Sequence, residues 1–113
     1  MKAKLALERL GALAQETRLE LFRRLVQQGP EGLAAGALAA TLDIPSPTLS
    51  FHVRELERSG LVERRREGRS IVYAASYGAM QELLAYLYES CCQGAGCAPI
   101  ARAITRFINK EKS

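Results

Sequence analysis

Cys91, Cys92 and Cys97 stand within seven residues of one another and are the only cysteines of the 113-residue chain. Thiolates are soft donors and suit a thiophilic ion. Adjacent cysteines at a helix end project about 100° apart, and Gly94 and Gly96 allow the loop to fold Cys97 back toward them. As(III), or Sb(III) in its place, is satisfied by three thiolates. Zinc in a structural site takes four protein ligands, and only Glu89 or water is at hand for the fourth. The same thiols would also serve a redox or sulfur-species sensor through a disulfide, a sulfenic acid or a persulfide, and they would bind Cd, Pb or Hg. The plainest alternative is that they are small buried hydrophobes, against which their gathering in a Gly-containing loop weighs. No Cys-x-x-Cys occurs and no His or acid pair is placed to assist a nucleophilic thiol, so no enzyme is expected.

A second set of reactive side chains lies mid-chain. Ser46, Pro47, Thr48, Ser50, Phe51, His52 and Arg54 fall in one helical run, and Arg64, Arg65, Arg66 and Arg69 cluster just after it. Ser and Thr hydroxyls bond bases or phosphates, Arg grips guanine O6 and N7, and an apolar side chain touches the thymine methyl. Ser50, Phe51 and Arg54 offer these three chemistries on one helix face. His52 lies nearer the core side and has a phosphate within reach of its chemistry; the alternative is an ordinary helix-surface histidine. The four later arginines suit the sugar-phosphate backbone or minor groove, against the alternative of a solvated hairpin tip.

The elements that must position these residues follow from periodicity. Leu7, Leu10 and Ala14 recur at helical spacing, and residues 16–28 form a second helix with Leu19, Phe22 and Val26 on one face, widened by Leu21 and Leu25, and stopped by Gly29-Pro30. Residues 33–42 read as a short Ala-rich helix that presents Leu38 and Leu42. Asp43-Ile44-Pro45 breaks it. Ser46 is a good N-cap and Pro47 suits the first helical position. On the helix that follows, Leu49, Val53 and Leu56 face the core. Val62–Arg66 and Ser70–Ala75 read as strands joined through Glu67-Gly68. Residues 76–90 form another helix, with Met80, Leu83, Leu84 and Leu87 in a stripe, and Pro99 opens a last one bearing Ile100, Ile104, Phe107 and Ile108. The order is helix, tight turn, helix, basic hairpin: a mainly α chain with a two-stranded β wing, in winged helix-turn-helix arrangement. One domain spans 1–113, with the helix-turn-helix at 33–59, the wing at 61–75, the thiol loop at 91–97, and dimerisation helices at 1–15 and 76–113.

Composition bounds the rest. With 16 Lys and Arg against 12 Asp and Glu the formal charge is +4, a balance that suits a polyanion. Glu8 and Arg9 interrupt any apolar run near the start, so no export signal is expected. No window approaches a membrane span, and an odd number of cysteines argues against a secreted disulfide scaffold. The expected setting is cytoplasmic, where thiols stay reduced.

The stretch Leu38-Ala39 … Leu42-Asp43-Ile44 … Thr48-Leu49-Ser50-Phe51-His52-Val53 … Leu56 … Gly60-Leu61-Val62 … Arg66-Glu67-Gly68-Arg69 … Val72-Tyr73 resembles the ArsR/SmtB family of repressors, as does Leu13-Ala14 … Thr17-Arg18-Leu19. The likeness spans roughly residues 5–90. It implies a homodimeric repressor that binds double-stranded operator DNA and is released by an inducer. It places DNA contacts on Ser46, Pro47, Ser50 and Phe51 and the wing arginines on phosphates. Two departures stand out. Asp43 occupies the turn where the family commonly has glycine, and Ser46, Pro47 and Phe51 replace the usual reader residues, so the operator sequence does not carry over. The family's common cysteine site before the reader helix is absent from Gly32–Leu38, and a His/Asp/Glu site lacks the histidines. The three-cysteine segment resembles that of the subgroup with an arsenite site near the end of the penultimate helix, which implies Cys91, Cys92 and Cys97 as ligands of As(III).

Overall fold

The computed structural model describes residues 1–89. Its elements run α1 (Ala3–Leu13), α2 (Glu16–Gln28), β1 (Leu33–Ala34), α3 (Ala35–Leu42), α4 (Ser46–Arg58), β2 (Val62–Glu67), β3 (Ser70–Ala75) and α5 (Tyr77–Leu87). Residues 1–83 form one compact unit, and the end of α5 belongs to a second unit that begins at Leu84. The thiol loop with Cys91, Cys92 and Cys97, and the closing helix with its 99–108 stripe, lie outside the described residues.

The core is built from α2, α3, α4 and the sheet. Leu21, Leu25, Leu38, Val53, Leu56 and Leu61 are fully enclosed, with Phe22, Leu49, Val62 and Tyr73 around them. On α4 the buried residues are Leu49, Val53 and Leu56, at the i, i+4, i+7 spacing that puts them on one face. The expected α2 face holds in part, and the α1 face turns out differently. On α2 the buried residues are Leu21, Phe22 and Leu25, while Leu19 is 45% exposed. On α1 the enclosed residues are Ala6 and Arg9, and Leu7, at 68% exposure, and Leu10 point outward. Both helices carry more apolar residues than one core-facing stripe needs, and periodicity alone does not say which stripe turns inward.

The sheet has three strands in the order β1-β3-β2, all antiparallel. Leu33 and Ala34, read from sequence as the start of a helix, instead pair with Tyr73 and Val72. Two residues are too few to register as a strand, and only the partner strand reveals them. Gly32 makes the pairing feasible. Its φ is +71°, and a Cβ there would lie 2.3 Å from the Tyr73 carbonyl oxygen. In the wing, Glu67 pairs with Ser70, leaving Gly68-Arg69 as the turn. Gly68 has φ +63°, as a two-residue hairpin loop with glycine first requires.

Between α3 and α4 Asp43 lies in the left-handed region, at φ 54° and ψ 51°. That is the conformation a glycine would take there, and Asp tolerates it better than most residues. The Ile44 N–H bonds back to the Ala39 carbonyl and closes the turn. Helix α4 begins one residue earlier than its N-cap signal suggested. Pro45 is the cap, with no side-chain capping bond, and Ser46 is already helical. The Pro45 carbonyl accepts from Leu49 at 3.0 Å. Pro47 is tolerated because N–H groups in the first helical turn have no partner within the helix.

Candidate nucleic-acid interface

The outward face of α4 is the candidate reader. Ser46, Pro47, Thr48, Ser50, Phe51 and Arg54 are all exposed, opposite the buried Leu49, Val53 and Leu56. Phe51, at 54% exposure, is an unusually bare ring. Its one ring contact is edge-to-face with His52, at a centroid distance of 5.3 Å and an angle of 68°. Farther along the helix Arg58 leans on Glu55 at 3.5 Å, one turn away. No hydrogen bond or ion pair among the described residues engages Arg54. Hydroxyls, an apolar ring and a free guanidinium thus share one face of a helix held rigidly from behind, the arrangement that major-groove reading uses.

His52 sits apart from that face. It is half-buried, and its Nδ1 is enclosed with no hydrogen-bond partner. Burial, and then the nearby positive charge of Arg18, hold its pKa below the ordinary value. A neutral imidazole gives a phosphate no ionic attraction. The shift also has a consequence for stability. Below about pH 6.5 the unfolded chain takes up a proton on this residue that the folded chain resists. Stability contributed by the neutral ring is therefore present at pH 7 and is lost as pH falls through the ordinary histidine range. Denaturant melts of wild type and His52→Gln between pH 5 and 7.5 should show a falling limb in wild type that the variant lacks; parallel curves would contradict this.

The four wing arginines divide into two pairs. Arg64 makes two hydrogen bonds of 2.7 Å to the Glu57 carboxylate, and its guanidinium lies 5.6 Å from the centre of the Tyr73 ring. The Glu57 bonds, then its charge, raise the Arg64 pKa further still. Arg65 donates to the carbonyls of Pro30 and Glu31 and stands 3.5 Å from Glu67. Arg66 and Arg69 are exposed and have no hydrogen bond or ion pair among the described residues. The first pair ties the wing to α4 and to the loop before β1; the second pair is available to a ligand.

Two supporting residues escaped the sequence reading. Glu57 looks like any exposed helix acid, and only the hairpin's return brings Arg64 onto it. Arg9 looks like a charge on the polar side of α1, yet it is buried. One signal could have found it: the residues three and four positions away include Ala6 and Leu13, so position 9 falls on an inward stripe as readily as an outward one. Among the described residues no group of three or more His, Cys, Asp or Glu is gathered to hold a metal ion. No helix among them is long and apolar enough to cross a membrane.

Fold and face together define a winged helix-turn-helix DNA-binding protein. Residues 13–65 match the family described as a helix-turn-helix domain. The transcriptional activator HlyU of Vibrio cholerae is 31% identical over 84 residues, covering 74% of this chain and 75% of HlyU. Its solved structure superposes with a TM-score of 0.61 at 34% identity, over 78% of this chain and 98% of that one. A second HlyU structure is that of the reduced protein, with a TM-score of 0.60 at 33% identity over 77% of this chain and 92% of that one. The biofilm growth-associated repressor of Agrobacterium fabrum is 36% identical over 83 residues, covering 74% of this chain and 68% of the repressor. The homodimeric winged helix-turn-helix domain of Mb0332 from Mycobacterium bovis, described as a possible ArsR-family transcriptional regulator, gives a TM-score of 0.63 at 26% identity, over 74% of this chain and 76% of that one. The chain belongs to the ArsR family of winged helix-turn-helix transcription regulators.

Proposed function

We propose that the chain is a homodimeric repressor that reads operator DNA with α4 and the β2–β3 wing, and lets go of it when As(III), or Sb(III), binds Cys91, Cys92 and Cys97. The observation that carries the DNA reading is the exposed row Ser50, Phe51 and Arg54 on the outward face of α4, in a fold whose wing holds two guanidiniums with no partner among the described residues. Ser46, Pro47 and Thr48, at the start of that helix, add hydroxyls and apolar surface where it would enter the groove. Dimerisation is supported by the bare Leu7 and Leu10 on α1 and by the homodimeric state of the Mycobacterium bovis relative. Two copies of α4 would then enter successive major grooves of a near-palindrome, centred about 10 bp apart.

The inducer reading rests on the sequence of the thiol segment. Three thiolates match the coordination that trivalent arsenic takes, and zinc would want a fourth ligand. Binding would draw Cys97 toward Cys91 and Cys92 and change the spacing of the two reader helices. The effect is reciprocal: operator DNA must weaken inducer binding by the same factor. A coupling of about 1–3 kcal/mol corresponds to roughly 5–150-fold release. Thiol oxidation is a second reading, favoured by the HlyU relative having a solved structure of its reduced form. Cd, Pb or Zn would act through the same sulfurs.

A titration of the purified chain on its own promoter duplex, with arsenite, antimonite, cadmium, zinc and peroxide in parallel, tests both halves. Arsenite should release the protein. Cys91→Ser, Cys92→Ser and Cys97→Ser should each keep DNA affinity and lose release. Retained release in Cys97→Ser would remove that residue from the site, and release by peroxide alone would establish the oxidation reading instead.

A further inference from the structure

Arg9 is a buried charge that the proposed function does not use. It lies on α1 at 7% exposure. Its Nε donates to the Ser59 carbonyl at 2.9 Å, and its Nη1 donates to the Ala79 carbonyl at 3.1 Å. Nη1 also stands 3.7 Å from the carboxylate of Glu82, which is largely exposed. Ser59 is the C-cap of α4, and Ala79 lies in the first turn of α5. One guanidinium therefore joins three helices.

The end of α4 is shaped to receive it. Gly60, at φ +84°, closes the helix: the Leu61 N–H bonds the Leu56 carbonyl at 3.1 Å and the Gly60 N–H bonds the Glu57 carbonyl at 3.0 Å. This closure engages the Leu56 and Glu57 carbonyls, and the Ser59 carbonyl accepts from Arg9. The carboxyl end of a helix carries partial negative charge, so a cation is favoured there. A side chain on Gly60 would meet Arg9, its Cβ lying 3.2 Å from Nη2. The Ser59 hydroxyl turns back to the Leu56 carbonyl at 2.8 Å and does not compete for the guanidinium. An unpaired buried charge is expensive; here two of the donors are taken up by the carbonyls of Ser59 and Ala79, and Glu82 lies nearby.

We infer that Arg9 is a positioning residue for DNA reading: it pins the carboxyl end of the reader helix to α1 and to the start of α5, so that the row Ser50, Phe51 and Arg54 meets the groove in one pose. The inference rests on the DNA-reading function proposed above. A misposed helix loses base reading, while charge attraction to any duplex survives. The signature is thus a fall in discrimination, which a smaller fraction of folded protein does not produce.

The test uses the full chain, a duplex selected by the wild-type protein from a randomised library, and a random duplex of equal length. Arg9→Met keeps an unbranched apolar stem and removes the donors. Its affinity for the selected duplex should fall about tenfold or more, the scale of one base-reading interaction, with less than about a threefold change on random duplex. Arg9→Lys should fall between. Phe22→Leu, a core change at a residue that is none of Arg9's polar partners, should lower both affinities in proportion to folded protein. A selected-to-random ratio in Arg9→Met equal to that of wild type overturns the inference. If Arg9→Met fails to fold, Glu82→Gln decides, since it loosens one tether at an exposed carboxylate; a lowered ratio supports the inference and an unchanged one overturns it. Wild-type protein that shows no preference for any duplex would instead defeat the DNA-reading function itself.

Discussion

Gly32→Ala should destabilise the fold by about 3 kcal/mol or more, lowering the melting temperature by roughly 10–20 °C. Two penalties act together. The residue has φ +71°, where any side chain is strained, and the new Cβ would lie 2.3 Å from the Tyr73 carbonyl oxygen and 3.0 Å from Val72 Cγ1. Both atoms belong to β3, the central strand, so relief requires moving the middle of the sheet. Rotating the chain at residue 32 instead would break the pairing of Leu33 with Tyr73. A domain of this size has only about 5–15 kcal/mol in hand, so the loss is a large share. Gly36→Ala is the contrast. It lies in α3 with nothing within 4 Å of its would-be Cβ, and it should stabilise by up to about 1 kcal/mol. Circular-dichroism melts of the two variants check both signs. A shift of less than about 1 kcal/mol for Gly32→Ala would mean that the sheet gives way at that point far more easily than its geometry indicates.

Removing the side chains of Arg66 and Arg69 together should weaken DNA binding strongly and flatten its salt dependence. Each phosphate left without its arginine reduces the slope of log K against log salt by about 0.9. Two phosphates per wing and two wings per dimer make the expected reduction roughly 3 to 4. The matching pair, Arg64→Ala and Arg65→Ala, should behave otherwise. Arg64 is already engaged by Glu57, and Arg65 by the carbonyls of Pro30 and Glu31. Their removal should leave the salt slope close to that of wild type. The Arg64 pair is partly solvent-exposed, so its loss should cost at most about 1 kcal/mol of stability. Fluorescence-anisotropy titrations over a range of salt concentrations separate the two pairs. Equal slope changes for both would show that all four arginines reach the duplex.

The division within that cluster shows where sequence stops informing. Four nearby arginines look alike in a string of letters. What sorts them is distance from the hairpin turn: Arg64 and Arg65, on opposite faces of β2, each meet a partner, whereas Arg66 and Arg69 lie nearer the turn, and the partners Glu57, Pro30 and Glu31 are 7 to 35 positions away. Local signals fared better. The α4 stripe, the Asp43 turn and the hairpin at Gly68 were legible because each is fixed by neighbours within a few residues. The α1 and α2 faces were ambiguous because both helices offer two apolar stripes. Arg9 was hidden for a related reason: a charge is normally solvated, and only the carbonyls of Ser59 and Ala79, 50 and 70 positions on, make its burial tolerable. The thiol segment lies outside the described residues.

The separation of duties on α4 has an evolutionary consequence. Leu49, Val53 and Leu56 hold the helix, and the side chains of Ser50 and Arg54 make no hydrogen bond or ion pair among the described residues. Phe51 is largely exposed and, among the described residues, makes its one ring contact with His52. Changes at these outward positions carry little penalty in folding, so a lineage is free to drift toward new target sites while the scaffold stays intact. Paralogues that share this frame can diverge in the genes they govern by altering a few letters of a single helix.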